Sequence, residues 1–260
     1  LNASSRGFKI FCVLYTAMKM GIFDSLHVQK TVDELCKNLN VDPNLMRSIC
    51  DVLVDLGLLM EQNGFYKNTE VSDIYLRADS PLHQQYVLND LRSYFKLWEK
   101  LDEILKSGPI MVSEERFFED HIKSLASRAL CGELQRTVRI VAQLPEFKKA
   151  RRLLDLGGGH GLYAIAFTKL NPKLEAYVFD FPEVLRHTKY YIKKFNAERV
   201  KVIPGNFFKD DIGKGYDIVF FAYNPGGKNP NLIPKTYSSL NDGGVFINKH
   251  VFYRKGEGSK

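Results

Sequence analysis

The stretch Leu153-Leu-Asp-Leu-Gly-Gly-Gly-His-Gly161 joins a short apolar segment, one acidic residue and a cluster of glycines. An apolar segment that runs into glycines predicts a strand, a tight turn and the start of a helix. Glycines let the backbone approach a ligand closely, and the free amides at a helix start carry partial positive charge. We therefore expect a ligand-binding turn in which Gly157, Gly159 and Gly161 follow a strand that ends near Asp155.

Short apolar segments alternate with helical segments from Arg151 onward, which is typical of a parallel α/β sheet. The helices are expected between the strands, at about residues 161–170, 184–196 and 231–240. The strands are expected at residues 153–156, 176–180, 200–203, 217–223 and 245–248. The pattern therefore predicts a doubly wound domain whose ligand-binding turn follows its first strand.

The first half of the chain reads as mainly helical. The segment before Gly21 presents an apolar face too broad for a lone surface helix, so we expect it to pack on another domain or subunit. A capping box starts a helix at Thr31, Asp42-Pro43 starts the next helix, and Asn63-Gly64 predicts a hairpin. Helices followed by a hairpin are in the order of a winged helix.

Charge and composition exclude several classes of partner. With 45% hydrophobic and 26% charged residues the chain reads as globular, and no apolar run approaches the ~18–20 residues that cross a bilayer. A winged helix can bind DNA, but the recognition helix at 44–56 shows Asp51 and Asp55 against Arg47. Residues 1–110 also hold 12 basic against 14 acidic residues, so neither a nucleic acid nor a membrane is expected as a partner.

The cysteines and most histidines are expected to be structural. Three cysteines lie among apolar helical positions and read as buried free thiols, which fits a reducing, cytoplasmic location: Cys12, Cys36 and Cys50. Four histidines read as turn or surface residues: His27, His83, His160 and His187. No Cys-x-x-Cys pair or histidine cluster indicates a metal site.

The spacing of the glycines separates two classes of nucleotide cofactor. A nicotinamide dinucleotide site requires G-x-G-x-x-G, whereas this run is G-x-G-x-G with Leu162 in the sixth position. A carboxylate just before the turn repels a pyrophosphate but pairs favourably with an ammonium. Asp155 therefore favours S-adenosylmethionine, whose amino-acid end carries that ammonium, over a dinucleotide. A glycine turn that serves packing alone remains the other interpretation.

Two further positions fit the nucleoside of that cofactor. Asp180 ends the second predicted strand, about 20 residues past the turn, where an acid can accept bonds from ribose hydroxyls. It can equally cap the next helix. After the third strand, Gly205-Asn206-Phe207 offers an amide for the adenine edge and a ring that can stack on adenine. A polar turn followed by core aromatic residues explains that run equally well.

Six segments along the chain also match motifs of one family. They are Met20-Gly-Ile-Phe-Asp24, Leu53-Val-Asp-Leu-Gly-Leu-Leu59, Leu154-Asp-Leu-Gly-Gly-Gly-His-Gly161, Val178-Phe-Asp-Phe-Pro-Glu-Val184, Gly205-Asn-Phe-Phe208 and Asn241-Asp-Gly-Gly244. The chain thereby resembles the small-molecule O-methyltransferases that include plant caffeic acid and animal hydroxyindole methyltransferases. The resemblance covers nearly the whole chain.

The resemblance implies a fold and an activity. Residues 1–110 would form a mainly helical winged-helix dimerisation domain, with the first helices of a homodimer intertwined. Residues 111–260 would form a Rossmann-like class I methyltransferase domain that converts S-adenosylmethionine to S-adenosylhomocysteine without a metal. The small-molecule acceptor would bind between the two domains, and the family continues past residue 260 with a helix and two strands.

Two departures from the family pattern bear on the chemistry. Asn206 stands where relatives carry Asp, which keeps an acceptor oxygen for adenine but loses a charge. Gly226-Gly227 stands where relatives carry the His-Asp pair whose His is the general base. A base is needed only if the acceptor loses a proton as it attacks. The catalytic residue is therefore unknown from sequence.

Three interpretations follow from the missing base. Another residue replaces it, for which the candidates are His250, His121 and Tyr223. Alternatively, the acceptor needs little help, as in methylation at sulfur, carbon, nitrogen or an already ionised phenol. As a third alternative, the chain binds S-adenosylmethionine without transferring its methyl group.

Overall fold

The computed structural model describes residues 2–108, 114–223 and 229–250. The chain divides into two compact units, Leu1–Met111 and Val112–Lys260. Within the described ranges, no helix is both long enough and apolar enough to span a membrane. In the same ranges, no three His, Cys, Asp or Glu side chains are grouped as metal ligands.

The first unit is helical with a small antiparallel sheet. The sheet has the order β1-β3-β2 and is built from β1 (Lys30–Thr31), β2 (Leu59–Gln62) and β3 (Phe65–Asn68). The helices are α1 (Asn2–Lys19), α2 (Ile22–Ser25), α3 (Val32–Leu39), α4 (Pro43–Asp55), α5 (Glu70–Tyr75), α6 (Gln85–Trp98) and α7 (Leu101–Ser107). The mainly helical first half is confirmed, with the helices and hairpin in the expected order.

Local side-chain chemistry sets the ends of these elements as predicted. Thr31 and Glu34 form the capping box of α3, in which the Glu34 carboxylate accepts from the Thr31 amide at 2.8 Å. The Asp42 carboxylate accepts from the Leu45 amide at 2.9 Å and caps α4. Asn63 and Gly64 both have positive φ, of 54° and 80°, which matches the tight turn between β2 and β3.

Helix α1 packs on the rest of its unit mainly through its C-terminal end. Ala17 and Met18 are buried there, whereas Phe8 near the other end keeps 57% of its surface exposed. Cys36 and Cys50 are buried free thiols as predicted, but Cys12 is exposed. The predicted burial of Cys12 is therefore wrong for the single chain, because the apolar face of α1 reaches beyond the core of its own unit.

The second unit is a parallel sheet between helical layers. Its strands have the order β6-β5-β4-β7-β8 and are β4 (Arg152–Leu156), β5 (Glu175–Asp180), β6 (Val200–Pro204), β7 (Tyr216–Ala222) and β8 (Leu240–Lys249). Its α-helices are α8 (Glu114–Arg128), α9 (Leu134–Ala142), α10 (Pro145–Lys149), α11 (Leu162–Leu170), α12 (Pro182–Lys194) and α13 (Leu232–Ser239). A π-helical turn, Ala129–Glu133, joins α8 to α9. All four strand pairs are parallel, which confirms the predicted fold class.

The last strand begins earlier than its sequence suggests. Strand β8 pairs Leu240 with Tyr216 and then Val245 with Ile218, so the register shifts between these two pairs. The polar run Asn241–Gly244 forms this irregular part of the strand, although its composition is typical of a turn. The strand predicted at 245–248 is therefore only the regular end of a longer one.

The sheet buries both of its faces. Leu153, Ile218 and Phe220 belong to one core cluster, whereas Leu154, Val219 and Phe221 belong to the other. The alternation arises because successive strand residues point to opposite faces. The chain runs outward from β4 to β6 and then returns to β7, so the strand order reverses between β4 and β7. In such sheets, ligands bind at the carboxyl ends of the strands beside this reversal.

We predict that Leu153→Ala in β4 destabilises the protein by about 2–5 kcal/mol, because it empties a fully buried position. Leu170→Ala removes the same atoms from α11, where the side chain is 54% exposed, and should change the free energy of unfolding by less than about 0.5 kcal/mol. Urea denaturation of both variants measures the difference. Equal losses would contradict this account of the core.

Candidate functional site

A cavity of about 560 Å³ lies at the carboxyl edge of the parallel sheet. It is lined by residues that follow β4, β5, β6 and β7, and by one side of α8 and the start of α11 and α12. Seven of the eleven residues named from the sequence line it: His121, Asp155, Gly157, Gly159, Asp180, Phe207 and Tyr223. The other four, Gly161, Gly205, Asn206 and His250, are not among the lining residues.

The glycine turn follows β4 in a conformation that most residues avoid. Gly157, Gly159 and Gly161 all have positive φ, between 55° and 70°. The Gly157 amide donates to the Phe179 carbonyl at 2.8 Å, and the Gly161 amide donates to the Gly158 carbonyl at 2.8 Å. These bonds hold the turn against β5 and start α11 next to the cavity.

Gly158 is a site residue that the sequence analysis missed. A Cβ atom at this position would lie 2.6 Å from Asp155 Cγ and 2.8 Å from Val178 Cγ1, which is closer than real contacts allow. The lack of a side chain therefore leaves room for the Asp155 carboxyl group. The run of three consecutive glycines at 157–159 could have indicated this position, but the G-x-G-x-G motif considers only alternate residues.

Asp155 is buried with one oxygen unpartnered. Its residue surface is 1% exposed, and Oδ2 has no hydrogen-bond partner among the described residues. Burial raises the pKa of this carboxyl group to about 7, and the nearby Asp180 charge adds to the increase, whereas a bond from the Ala164 amide opposes it. A buried, unpaired carboxylate is unfavourable, so the site fits a cationic ligand group such as an ammonium.

Asp180 holds the glycine turn in place. Its Oδ2 accepts from the Gly159 amide at 2.8 Å, and its Oδ1 accepts from the Phe181 amide at 2.8 Å. Burial raises the pKa of this carboxyl group, although the two amide bonds oppose the shift. Each oxygen can accept more than one bond, so the ribose role remains open to it.

The Gly205-Asn206-Phe207 segment contributes mainly aromatic surface. A Cβ atom on Gly205 would lie 2.6 Å from Phe179 Cζ, so this glycine is required for packing. Asn206 Oδ1 accepts from the Phe208 amide at 2.9 Å, within its own turn. Phe207 is buried and Phe208 is half exposed, and both rings line the cavity. The Asn206 contact with adenine stays a prediction.

His160 lies inside the site and not on the surface. His160 lies in a turn, as predicted, but the surface alternative is wrong: the residue is 7% exposed and lines the cavity, because the glycine turn folds it inward. Its Nδ1 accepts from the Leu162 amide at 3.1 Å, which leaves the ring proton on Nε2. Burial lowers its pKa to about 4, against an opposing effect of Glu133 and with a smaller contribution from Lys249. His160 is therefore neutral near pH 7.

The three candidate bases occupy different positions. His121 on α8 and Tyr223 after β7 line the cavity. Tyr223 has a φ of 51°, which is unusual for an aromatic residue, and its amide donates to the Lys249 carbonyl at 2.9 Å. The His250 ring lies 6.1 Å from the Tyr223 ring. Gly226-Gly227 lies outside the described residues.

Both halves of the chain match protein-family models that describe O-methyltransferases. Residues 3–78 match the model of the O-methyltransferase dimerisation domain, and residues 114–244 match that of the O-methyltransferase domain. An uncharacterised protein of Methanocaldococcus jannaschii is 45% identical, over 96% of this chain and 69% of its own length. Acetylserotonin O-methyltransferase of Gallus gallus is 28% identical, over 80% of this chain and 66% of its own length.

A solved structure agrees with these matches. The crystal structure of human N-acetylserotonin methyltransferase in complex with SAM, which is S-adenosylmethionine, has a TM-score of 0.78 and 25% identity to this chain. The alignment covers 95% of this chain and 78% of the human one.

We predict that Asp155→Asn stabilises the ligand-free protein at pH 8 but not at pH 4. The pKa of Asp155 is raised to about 7, so the folded state holds this proton more tightly than the unfolded state, and stability falls as the pH rises from about 4 to 7. The side-chain amide of Asn carries no charge, so the variant avoids the cost of burying an ionised carboxylate above pH 7. Thermal melts of both proteins between pH 4 and 8 measure the difference.

Asp217→Asn is a control in which the change in stability with pH should have the opposite sign, because the pKa of Asp217 is lowered. Although burial opposes it, bonds from the Arg151 and Arg152 amides and from Asn241 lower the pKa of Asp217. This variant should lose stability above pH 4, and the loss should shrink as the pH falls. If the stability of both variants, relative to the parent, changed with pH in the same direction, the opposite pKa shifts of Asp155 and Asp217 would be ruled out.

Proposed function

This chain belongs to the O-methyltransferase family, whose cofactor is S-adenosylmethionine, and we propose that it methylates an oxygen of a small molecule at the cavity beside Asp155. One observation supports this proposal above the others. The Asp155 carboxyl group is buried beside a glycine turn, with an oxygen that has no partner among the described residues. A ligand cation satisfies this oxygen, and the amino-acid end of the cofactor provides one.

Different residues of the cavity bind different parts of the cofactor. Asp155 pairs with the ammonium. The glycine turn at Gly157 and Gly159 has no side chains there, so the ligand can approach the protein backbone closely. Asp180 accepts from the ribose while it holds the turn, and Phe207 stacks on the adenine. Gly161, Gly205 and Asn206 act through the shape of the turns on which these residues lie.

Methyl transfer depends mainly on positioning. The bound cofactor supplies a methyl group activated by a sulfonium. The protein contributes orientation and exclusion of water, which account for much of the rate of such a displacement. His121 and Tyr223 line the cavity and remain the candidates for proton transfer, whereas His250 is connected to it through the Tyr223 ring. The Gly226-Gly227 sequence favours an acceptor that needs no histidine base.

We predict that S-adenosylhomocysteine raises the melting temperature of the protein and that Asp155→Asn abolishes this shift. At about 100 times Kd the ligand should add about 2.7 kcal/mol to the free energy of unfolding. Asp242→Asn removes an equal charge from an exposed position outside the cavity and should keep the shift. Calorimetric titration gives the affinities. Retention of the ligand by the Asp155 variant would refute the proposed site.

We further propose that the chain forms a homodimer through α1 and α4. A groove of about 850 Å³ lies between these helices, and apolar residues such as Phe8, Val13 and Val52 line much of it. All of its lining residues except Asn2 lie within residues 3–78, which match the dimerisation domain. Apolar grooves of this size are unfavourable in water, so a second copy of the chain is the expected cover.

Phe8→Glu should convert the dimer to monomers, because it places a charge in the groove. Sedimentation velocity measures the mass of the particles. Leu170→Glu introduces the same charge at an exposed position of α11, in the other unit, and should leave the mass unchanged. A Phe8 variant that sediments like the parent protein would exclude this surface as the interface.

A further inference from the structure

Lys249 lies directly behind the wall of the cavity. It ends β8 in register with Ala222, a cavity residue at the end of β7. Its Nζ donates to Tyr163 Oη at 2.8 Å and lies 4.2 Å from the centre of the Tyr223 ring. Both tyrosines line the cavity. The ammonium is therefore one side chain away from a ligand that contacts either ring.

The counter-ion of Lys249 is Glu133, which is not among the residues that line the cavity. Glu133, at the end of the π-helical turn, forms an ion pair with the Lys249 ammonium and accepts from Tyr163 Oη at 3.3 Å. The Glu133 side chain is 37% exposed, against 18% for that of Lys249. Solvent therefore screens the carboxylate more than the ammonium. The ammonium lies 5.2 Å from the centre of the Tyr163 ring and 4.2 Å from that of the Tyr223 ring, so its charge lies against the cavity wall.

Two ionisable groups that line the cavity, His160 and Tyr163, are poor bases near pH 7. Burial lowers the pKa of His160 to about 4, and burial raises the pKa of Tyr163 well above its usual range. His121 lines the cavity, and the His250 ring lies 6.1 Å from the Tyr223 ring. Among the described lining residues there is no Lys or Arg. Lys235 reaches the wall at the Phe207 carbonyl, 2.8 Å away, whereas the Lys249 ammonium contacts two of the lining aromatic rings.

We propose that Lys249 determines acceptor specificity by favouring a phenol that binds in its ionised form. The inference rests on the proposed methyl transfer. A cation beside the bound ring stabilises a phenolate relative to the phenol, because the two charges attract in a partly desolvated site. The phenolic proton passes to water before transfer, so no protein group has to accept it. The aromatic walls formed by Tyr163, Tyr223 and Phe208 fit a flat ring.

This assignment gives the Gly226-Gly227 sequence a chemical reason. A general base shifts the acceptor towards its anion during attack, whereas a fixed cation shifts the same equilibrium before attack. The oxygen of a phenolate then forms the new bond to the methyl carbon as the carbon–sulfur bond breaks and its electron pair stays on sulfur. Lys249 is thus a specificity-determining residue that acts through the charge of the acceptor.

The test uses 4-nitrophenol, whose anion absorbs visible light, bound to the full chain in the presence of S-adenosylhomocysteine. We expect the parent protein to lower the pKa of the bound probe. Lys249→Met keeps most of the length of the unbranched side chain but removes its charge, and should raise that pKa by about one pH unit relative to the parent. Glu133→Gln removes the opposing charge and should lower it further. Absorbance titrations of each complex measure these shifts.

The structure offers a matched control. Lys201 forms an ion pair with Glu175 at 3.2 Å and lies 5.6 Å from the Tyr177 ring, in the same sheet but outside the cavity lining. Lys201→Met and Glu175→Gln repeat the two charge changes in this second cluster. Neither should move the pKa of the bound probe.

Several results would overturn the proposal. Shifts of the same sign for Lys249→Met and Glu133→Gln would show a structural role, because an electrostatic role requires opposite signs. An unchanged pKa in Lys249→Met, an equal effect of Lys201→Met, or no saturable binding of 4-nitrophenol would also reject it. If S-adenosylhomocysteine fails to raise the melting temperature, methyl transfer itself is refuted. If it does raise it while the probe is unaffected, only the role of Lys249 is lost.

Discussion

The site depends on one unfavourable arrangement, a buried carboxyl group without a full set of partners. Asp155 lies at the end of a strand whose neighbours are apolar, and Gly158 leaves space that any Cβ would fill. Burial and the Asp180 charge together raise the pKa of Asp155. A protein maintains such a group when a ligand supplies the missing charge, so instability of the empty site and affinity for a cation have the same physical origin.

The sheet topology separates this site into two electrostatic regions. The two acids lie at the carboxyl ends of β4 and β5, on one side of the reversal in strand order, whereas Lys249 ends β8 on the other side. Neighbouring strands lie about 4.8 Å apart and β7 separates β4 from β8, so the opposite charges lie along one edge of the sheet without sharing an element. A cationic cofactor and an anionic acceptor can therefore be drawn to different parts of one cavity. The strand order, and not any local motif, sets where Lys249 lies relative to the two acids.

Local sequence patterns predicted the elements well because they report local physics. The capping box at Thr31 and the turn at Asn63-Gly64 satisfy backbone groups a few residues away, and both form as expected. His160 lies in a turn as predicted, but its burial was not predicted, for the converse reason. Its burial follows from how the glycine turn lies against α11 and β5, which no nearby residue indicates. The predicted burial of Cys12 was wrong because the apolar face of α1 extends past the core of its own unit.

The sequence by itself determined the fold class, the family and the position of Asp155 and Asp180, because periodicity and glycine spacing are properties of adjacent residues. Only the tertiary structure decided which glycines line the cavity and which serve packing, as Gly158 and Gly205 show. It also brought Glu133, Tyr163 and Lys249 together from three elements. Such contacts join residues distant in the chain, and their geometry is set by the packing of helices and strands across the whole unit.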